Sequence, residues 1–165
     1  MRFLLDTNVL IRLCHPTRHP EIKQWLQAWI VHAQKVRDVE LLISAAADYE
    51  ARRGYLWKLD NHPDESKALA RLDNLCKLLG MCPISGEVLR EAAQFWSDAR
   101  KGGYSTAPER HIDWDVIIAA QAANLTAVVV TSNADHISRY GVDASDWTDI
   151  PPPALGPATE TEKSE

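Results

Sequence analysis

One stretch near the N-terminus predicts the class of fold: Phe3-Leu4-Leu5-Asp6-Thr7-Asn8-Val9-Leu10-Ile11. Its first apolar run has the length of a buried strand, and the second, opened by Thr7 and Asn8, is typical of a helix. Asp6 stands at the junction between the two. A carboxylate in that position lies at the carboxyl edge of a sheet, where open α/β sheets bind their ligands. The stretch therefore predicts an α/β protein with a ligand site beside Asp6.

The rest of the chain continues this alternation of strands and helices. Amphipathic periodicity predicts helices over residues 22–36, 65–79 and 85–100, and a further helix is predicted over residues 45–58, after Ser44, which can cap it. The continuous β-branched run at residues 127–130 is typical of a central parallel strand. Residues 147–150 predict a last edge strand. This order indicates an α/β sandwich with a mainly parallel sheet.

The composition is that of a globular protein with one domain. Of the 165 residues, 45% are hydrophobic and 25% are charged, which is ordinary for a soluble domain. We predict a domain over residues 1–150 and a disordered tail over residues 151–165, where core-forming residues are scarce. No apolar run reaches the roughly 20 residues of a membrane span, and the N-terminus lacks a signal-peptide pattern. We therefore expect a cytoplasmic protein that does not enter a membrane.

Charge and cysteine content exclude some kinds of site. The formal net charge of -5 is unlike the broad basic field of most nucleic-acid-binding proteins. An acidic protein can still act on nucleic acid if metal ions neutralise its site and a local basic cluster holds the phosphates. The three cysteines (Cys14, Cys76 and Cys82) are odd in number and form no CxxC pair. This pattern argues against a disulfide framework and against a zinc site.

Carboxylates recur at the predicted strand-to-helix junctions and early in the helices. Besides Asp6 they are Glu50, Asp113, Asp115 and Asp135. Each alone could be a helix cap or part of a solvated face. Together they should meet in one cleft, because the carboxyl ends of parallel strands lie at the same edge. Like charges in one cleft raise one another's pKa unless a cation lies between them. A cluster without His or Cys ligands suits Mg²⁺ or Mn²⁺ and phosphoryl chemistry.

Four short motifs resemble those of a single family. They are Leu-Asp-Thr-Asn-Val-Leu-Ile at 5–11, Asp-Tyr-Glu-Ala-Arg-Arg-Gly at 48–54, Asp-Val-Ile-Ile-Ala-Ala-Gln-Ala at 115–122 and Val-Thr-Ser-Asn-Ala-Asp-His at 130–136. In this order the chain resembles the PIN-domain ribonucleases, the fold of VapC-type toxins. The resemblance implies a PIN-like three-layer α/β/α sandwich with a mainly parallel central sheet.

Carried over residue by residue, the resemblance implies a catalytic and metal-binding site of acids. Its four positions match Asp6, Glu50, Asp115 and Asp135. At the fourth position both Asn133 and Asp135 fit the family pattern. His136, which follows them, stands where the family has an aromatic residue. Asp113 is an additional acid that would bind the metal through water or cap its helix.

The same resemblance implies supporting polar residues. Three of them fall in the motifs: Asn8, Thr131 and Asn133. Asn8 is expected to orient Asp6. Arg52 and Arg53 are candidate phosphate contacts, although on a helix at most one of the two can face the cleft.

The function that the resemblance implies is Mg²⁺- or Mn²⁺-dependent endoribonuclease activity, the hydrolysis of RNA phosphodiester bonds by the toxin of a type II toxin-antitoxin pair. The implied partners are the RNA, an antitoxin whose C-terminal peptide covers the acidic groove, and a second copy of the chain in a homodimer. Two alternatives stay open. One is a non-catalytic PIN-like binding module, and the other is a structure-specific DNA nuclease.

Overall fold

The centre of the molecule is a sheet of parallel strands. The computed structural model describes residues 1–36, 38–104 and 113–153, so most of the predicted tail lies outside the described residues. The strands are β1 (Arg2–Leu5), β2 (Glu40–Ser44), β3 (Met81–Cys82), β4 (Val128–Val130) and β5 (Ala144–Ser145). They form one five-stranded sheet in the order β3-β2-β1-β4-β5. Each neighbouring pair is parallel.

Helices cover both faces of this sheet. In the described residues they are α1 (Thr7–Cys14), α2 (Pro20–Lys35), α3 (Ala45–Lys58), α4 (Glu65–Leu79), α5 (Gly86–Lys101), α6 (Trp114–Leu125) and α7 (Ala134–Ser138). The predicted three-layer α/β/α sandwich with a parallel sheet is confirmed. Among the helices described, none is both long and apolar enough to cross a membrane.

The order of the strands determines where a ligand can bind. From β1 the chain moves outward to β2 and β3, and it then returns to β4 and β5 on the other side of β1. The crevice between β1 and β4 is therefore a topological switch point, where open α/β sheets bind ligands. Leu5 and Val130 end these two strands and pair in register. The residues that follow them, Asp6 and Thr131, consequently lie side by side at the crevice.

Burial explains why β1 and α6 form the core. Phe3, Leu4 and Leu5 of β1 are almost fully buried, because both faces of a central parallel strand are covered. The buried residues of α6 run without interruption from Val116 to Ala122, so this helix has no solvent face over that length. Its first residues, including Asp115, are consequently anchored by a fully packed helix.

A buried glutamine joins α6 to two strands. Gln121 is 0% exposed, and its amide oxygen accepts a hydrogen bond from the Ser44 hydroxyl at 2.5 Å. Its amide nitrogen donates to the carbonyls of Cys82 at 2.7 Å and Pro83 at 3.1 Å. Ser44 Oγ also accepts from the Ala47 amide at the start of α3. These bonds satisfy a polar group that would be costly to bury unpaired, and they connect the ends of β2 and β3 to α6.

The predicted edge strand over residues 147–150 is wrong. The edge strand is β5, which lies earlier in the chain, and Trp147–Asp149 forms a 3₁₀ turn. The Asp146 side chain caps this turn by accepting a hydrogen bond from the Thr148 amide at 2.9 Å. A local side-chain cap of this kind competes with strand pairing, and the four-residue segment Trp-Thr-Asp-Ile does not reveal it by itself.

Candidate active site

An acidic cleft opens at the carboxyl edge of the sheet, at the switch point between β1 and β4. It has a volume of about 330 Å³. The polar residues that line it are Asp6, Thr7, Asn8, Glu50, Lys58, Asp115 and Asn133. Its apolar lining includes Ile11, Ala51, Tyr55 and Ile137. The fold thus brings three of the predicted acids into one space, with a single lysine among the lining residues described.

Asp6 is the most tightly held of these acids. Only 5% of the residue is exposed, and it caps α1 by accepting a hydrogen bond from the Thr7 amide on Oδ1 at 2.6 Å. Its other oxygen, Oδ2, accepts from Asn8 Nδ2 and from the Thr131 hydroxyl, each at 2.7 Å. Three donors therefore fix the orientation of the carboxylate before any ligand arrives.

Asn8 and Thr131 connect the two strand ends that flank the crevice. Asn8 Nδ2 also donates to Thr131 Oγ1 at 2.9 Å, and Asn8 Oδ1 accepts from the amide and the hydroxyl of Ser132 at 2.9 and 3.0 Å. Thr131 Oγ1 in turn accepts from the Asn133 amide at 3.0 Å. The predicted supporting roles of Asn8 and Thr131 thus have a geometric basis, since both side chains contact the Asp6 carboxylate directly.

Glu50 is positioned by a residue that the sequence motifs did not single out. The Thr7 hydroxyl donates to Glu50 Oε2 at 2.7 Å, which ties α3 to the start of α1. Glu50 also lies within 3.8 Å of the Arg53 guanidinium. The available signal was the position of Thr7 directly after Asp6, where a helix-start hydroxyl can face an adjoining helix.

Asp115 contacts His136, a residue that the sequence motifs did not assign to the site. Asp115 Oδ2 lies 3.1 Å from His136 Nε2, and the same ring nitrogen contacts the Arg139 guanidinium. In the family motif, His136 stands at the position of an aromatic residue. In the structure it is Ile137, 1% exposed, that occupies the buried side of α7 and lines the cleft. His136 is turned toward Asp115 instead.

The carboxylates in the cleft perturb one another. Burial raises the pKa of Asp115 to about 6, and the charges of Asp6, Asp113 and Glu50 add to the rise. Burial is also the main reason that the pKa of Asp6 is raised; the Glu50 charge contributes, while the three hydrogen bonds to Asp6 oppose the rise. The cleft therefore holds negative charge at a free-energy cost, and a cation placed within it would relieve that cost.

Two of the predicted acids do not line the cleft. Asp113 caps α6, its carboxylate accepting a hydrogen bond from the Val116 amide at 3.4 Å. Asp135 is exposed in the first turn of α7. Asn133, the other residue considered for the fourth position, does line the cleft. The geometry thus favours Asn133 over Asp135 as the fourth member of the site.

The two arginines that follow Glu50 have different surroundings. Arg52 makes two contacts with the Asp48 carboxylate, at 2.9 and 3.2 Å, and one with Asp73 at 2.8 Å. These contacts tie α3 to α4 and occupy its guanidinium. Arg53 is more exposed and lies on the Glu50 side of the helix. Of the pair, Arg53 is the one placed to meet a phosphate.

The oxygen donors of the cleft fit a hard, hydrated divalent cation. In the part of the chain that the structure describes, no three His, Cys, Asp or Glu side chains are grouped closely enough to hold an ion together. Mg²⁺ does not need such a cage, because it commonly takes one or two carboxylates and keeps several waters. A carboxylate has about four acceptor positions, and the described donors to Asp6 take three of them.

Comparison with known proteins identifies the family. The family model for the PIN domain matches residues 3–142. The chain belongs to the PIN-domain family. The predicted membership is therefore confirmed over most of the chain. A comparison with curated proteins finds no match.

Solved structures share the fold of this PIN domain. VapBC-1 from nontypeable Haemophilus influenzae is 19% identical, with a TM-score of 0.65 over 90% of this chain and 99% of that chain. FitAcB from Neisseria gonorrhoeae is 23% identical, with a TM-score of 0.69 over 88% and 98%. VapBC-5 from Mycobacterium tuberculosis, a member of the VapBC family of toxin-antitoxin systems, is 18% identical, with a TM-score of 0.57 over 88% and 96%. At these identities the likeness concerns the fold.

Proposed function

We propose that this PIN-domain chain is a metal-dependent endoribonuclease and the toxin of a toxin-antitoxin pair. The observation that carries the proposal is the convergence of Asp6, Glu50 and Asp115 in one cleft, where the pKa values of Asp6 and Asp115 are raised. Buried acids with raised pKa values in a cleft are a common mark of a functional site. Membership of the PIN-domain family supports nuclease chemistry at this site.

The metal in this proposal is Mg²⁺ or Mn²⁺. Asp6 and Asp115 would hold it, with the side-chain oxygen of Asn133 as a further donor. When bound, such an ion lowers the pKa of a coordinated water and stabilises charge on the scissile phosphate. Oxygen donors from carboxylates and amides are the ligands that these two ions prefer.

The residues of the chain have separate tasks around this site. Asn8 and Thr131 keep Asp6 in one orientation, since both donate to its Oδ2. Glu50, held by a neighbouring hydroxyl, accepts a hydrogen bond from the attacking water and orients it. Lys58 lines the cleft and offsets part of the repulsion between the acids and the RNA backbone. A local cation is required here because the net charge of the chain is -5.

The proposed partners are an antitoxin and a second copy of the chain. The antitoxin proposal is supported by the solved structures of similar fold, which include VapBC-5, a member of a family of toxin-antitoxin systems. An inhibitory segment that places an arginine or lysine in the cleft would satisfy the same carboxylates that a metal would. Co-purification of the chain with the product of an adjacent reading frame, and release of that product by denaturant, would test this partner.

RNA cleavage by the wild type and by Asp6→Asn tests the proposed activity. Total RNA is incubated with each protein and Mg²⁺, and the new ends are mapped. Asn can still cap α1, so the variant should keep its fold while it loses a metal ligand. We expect cleavage at defined sites by the wild type, none by Asp6→Asn, and none by the wild type in EDTA.

Asp149→Asn is the matched control, because Asp149 is exposed and lies outside the cleft lining. It makes the same chemical change and should cleave like the wild type. Undiminished cleavage by a folded Asp6→Asn protein would refute the proposal. The same holds if the wild type cleaves no RNA with either Mg²⁺ or Mn²⁺.

A further inference from the structure

Two aromatic rings and an arginine form a cluster beside the acidic cleft. The rings of Tyr49 and Trp114 lie with centroids 4.9 Å apart and planes inclined by 39°. The guanidinium of Arg53 lies 5.7 Å from the Tyr49 centroid and 5.8 Å from the Trp114 centroid. We call these three side chains the aromatic platform.

The platform is joined to the rim of the cleft by Arg53, whose guanidinium lies 3.8 Å from Glu50, a residue of the cleft lining. Tyr49 directly precedes Glu50 in α3, and Trp114 directly precedes Asp115 at the start of α6. Adjacent helix positions face different directions, so the rings point away from the side on which these acids line the cleft. Neither ring lines the cleft itself. The platform therefore flanks the acids without filling the space between them.

Tyr49 is exposed in a way that packing does not explain. It is 51% exposed and is not part of the apolar core, whereas Trp114 is partly buried and packs against that core. Trp114 thus anchors the platform, and Tyr49 offers a ring to solvent. An exposed aromatic ring with a guanidinium beside it is the kind of surface on which single-stranded nucleic acids stack their bases, and Arg53 lies near both rings of the platform.

We propose that the aromatic platform stacks one base of a single-stranded RNA whose adjacent phosphate lies in the acidic cleft. The inference rests on the proposed function and adds how that site would hold its substrate. The platform contacts only the face of a base, so it selects unpaired nucleotides and tolerates different bases. Arg53 lies between the rings and Glu50, where it can also meet the backbone of the same strand.

A small planar occupant fits this surface better than a second copy of the chain does. A stable protein interface buries about 800 Å² on each partner, far more than the exposed part of one tyrosine ring and an arginine offers. The charges next to the rings, Arg53 and Glu50, are also typical of a polar rim and not of the apolar centre of an interface.

Binding of RNA to an uncleavable protein tests the platform. The full-length Asp6→Asn variant serves as the background, and the probe is a short fluorescein-labelled single-stranded RNA of mixed sequence. Adding Tyr49→Leu should weaken binding about tenfold, within the range expected when one stacked base loses its aromatic partner. Adding Tyr49→Phe, which keeps the ring, should restore the affinity. Trp57→Leu is the matched control, because Trp57 is 85% exposed on the same helix but lies outside the platform, and it should bind like the background.

A second series locates the base. The same RNA is prepared with a single abasic nucleotide at each position in turn. At one position the abasic change should weaken binding to the background protein and have no further effect on the Tyr49→Leu protein, because the two changes remove the same contact.

Three results would overturn the platform. The first is equal binding by Tyr49→Leu and Trp57→Leu. The second is a loss for Tyr49→Leu that is the same for every abasic RNA. The third is a Tyr49→Leu protein whose RNA affinity is unchanged but whose molar mass in light scattering differs from that of the background, which would assign the surface to a second copy of the chain. These results are independent of the cleavage test. RNA cleavage that depends on Asp6 would stand even if the platform failed. Conversely, a chain that cleaves no RNA could still show the coupling between Tyr49→Leu and one abasic position.

Discussion

Replacing Asp115 by asparagine should stabilise the metal-free protein at neutral and alkaline pH, although it removes a proposed metal ligand. In the folded protein the pKa of Asp115 is raised to about 6 from its ordinary value of 3.8, first by burial and then by the neighbouring charges of Asp6, Asp113 and Glu50. Between these two pH values the folded state binds more protons than the unfolded state. The stability of the metal-free protein therefore falls as the pH rises through this window and stays lower above it.

The size of the effect follows from the shift in pKa. A rise from 3.8 to about 6 corresponds to roughly 3 kcal/mol of folding free energy. Because the Asp115 side chain is 36% exposed, solvent screens part of this repulsion, and we expect about half of it, roughly 1.5 kcal/mol. For a chain of this length that amounts to an increase in Tm of about 3–6 °C. The contact with His136 should survive, because asparagine keeps an acceptor oxygen and burial lowers the pKa of His136, which leaves its ring neutral at this pH.

Thermal unfolding in EDTA, followed by calorimetry across the pH range, measures this prediction. Asp115→Asn should melt above the wild type near pH 8 and at the same temperature as the wild type near pH 4, where Asp115 is protonated in the folded state. Mg²⁺ in excess of the EDTA should raise the Tm of the wild type more than that of the variant, since only the wild type retains the Asp115 carboxylate as a ligand. Asp149→Asn, an exposed substitution outside the cleft, should follow the wild type throughout. A variant that melts at or below the wild-type temperature near pH 8 would refute the reasoning.

Four other substitutions separate roles within the site and the core. Asn133→Ala should slow RNA cleavage in Mg²⁺ by about tenfold or more, whereas Asp135→Ala should cleave like the wild type; the reverse order in a steady-state assay would assign the fourth position to Asp135. Gln121→Leu should lower the free energy of unfolding in urea by about 3 kcal/mol, because it removes the acceptor of the buried Ser44 hydroxyl and the donor to the carbonyls of Cys82 and Pro83, and a loss under about 1 kcal/mol would contradict that role. Arg52→Met should leave the affinity for single-stranded RNA unchanged, since two carboxylates already hold the guanidinium; weaker RNA binding in the fluorescence assay would show that it meets the RNA.

Much of the fold followed from local pattern. The predicted helices over residues 45–58 and 65–79 coincide with α3 and α4, because Ser44 marked the start of the first and apolar periodicity marked the second. The run at residues 127–130 contains the interior strand β4. The predicted strand over residues 147–150 failed where an aspartate side chain capped a 3₁₀ turn, and a segment of four residues carries no signal that separates these outcomes.

The positions of the acids in the site could be predicted from sequence, because acids at strand ends and early in helices of a parallel sheet lie at the same edge. Asp6, Glu50 and Asp115 line one cleft, as the parallel arrangement of strands requires. The choice between Asn133 and Asp135 depended on the rotation of α7, a helix of five residues, which is too short for periodicity to orient from sequence.

Local sequence was enough to predict that acids gather at one edge of a parallel sheet, since alternation of strands and helices is a local property of the chain. Which side chains touch depended on tertiary packing. Thr7 holds Glu50 across 43 positions of sequence, and Thr131 holds Asp6 across 125. Contacts over such separations depend on how helices pack and rotate against the sheet, and no pattern of neighbouring residues encodes that rotation. The same packing placed His136 against Asp115.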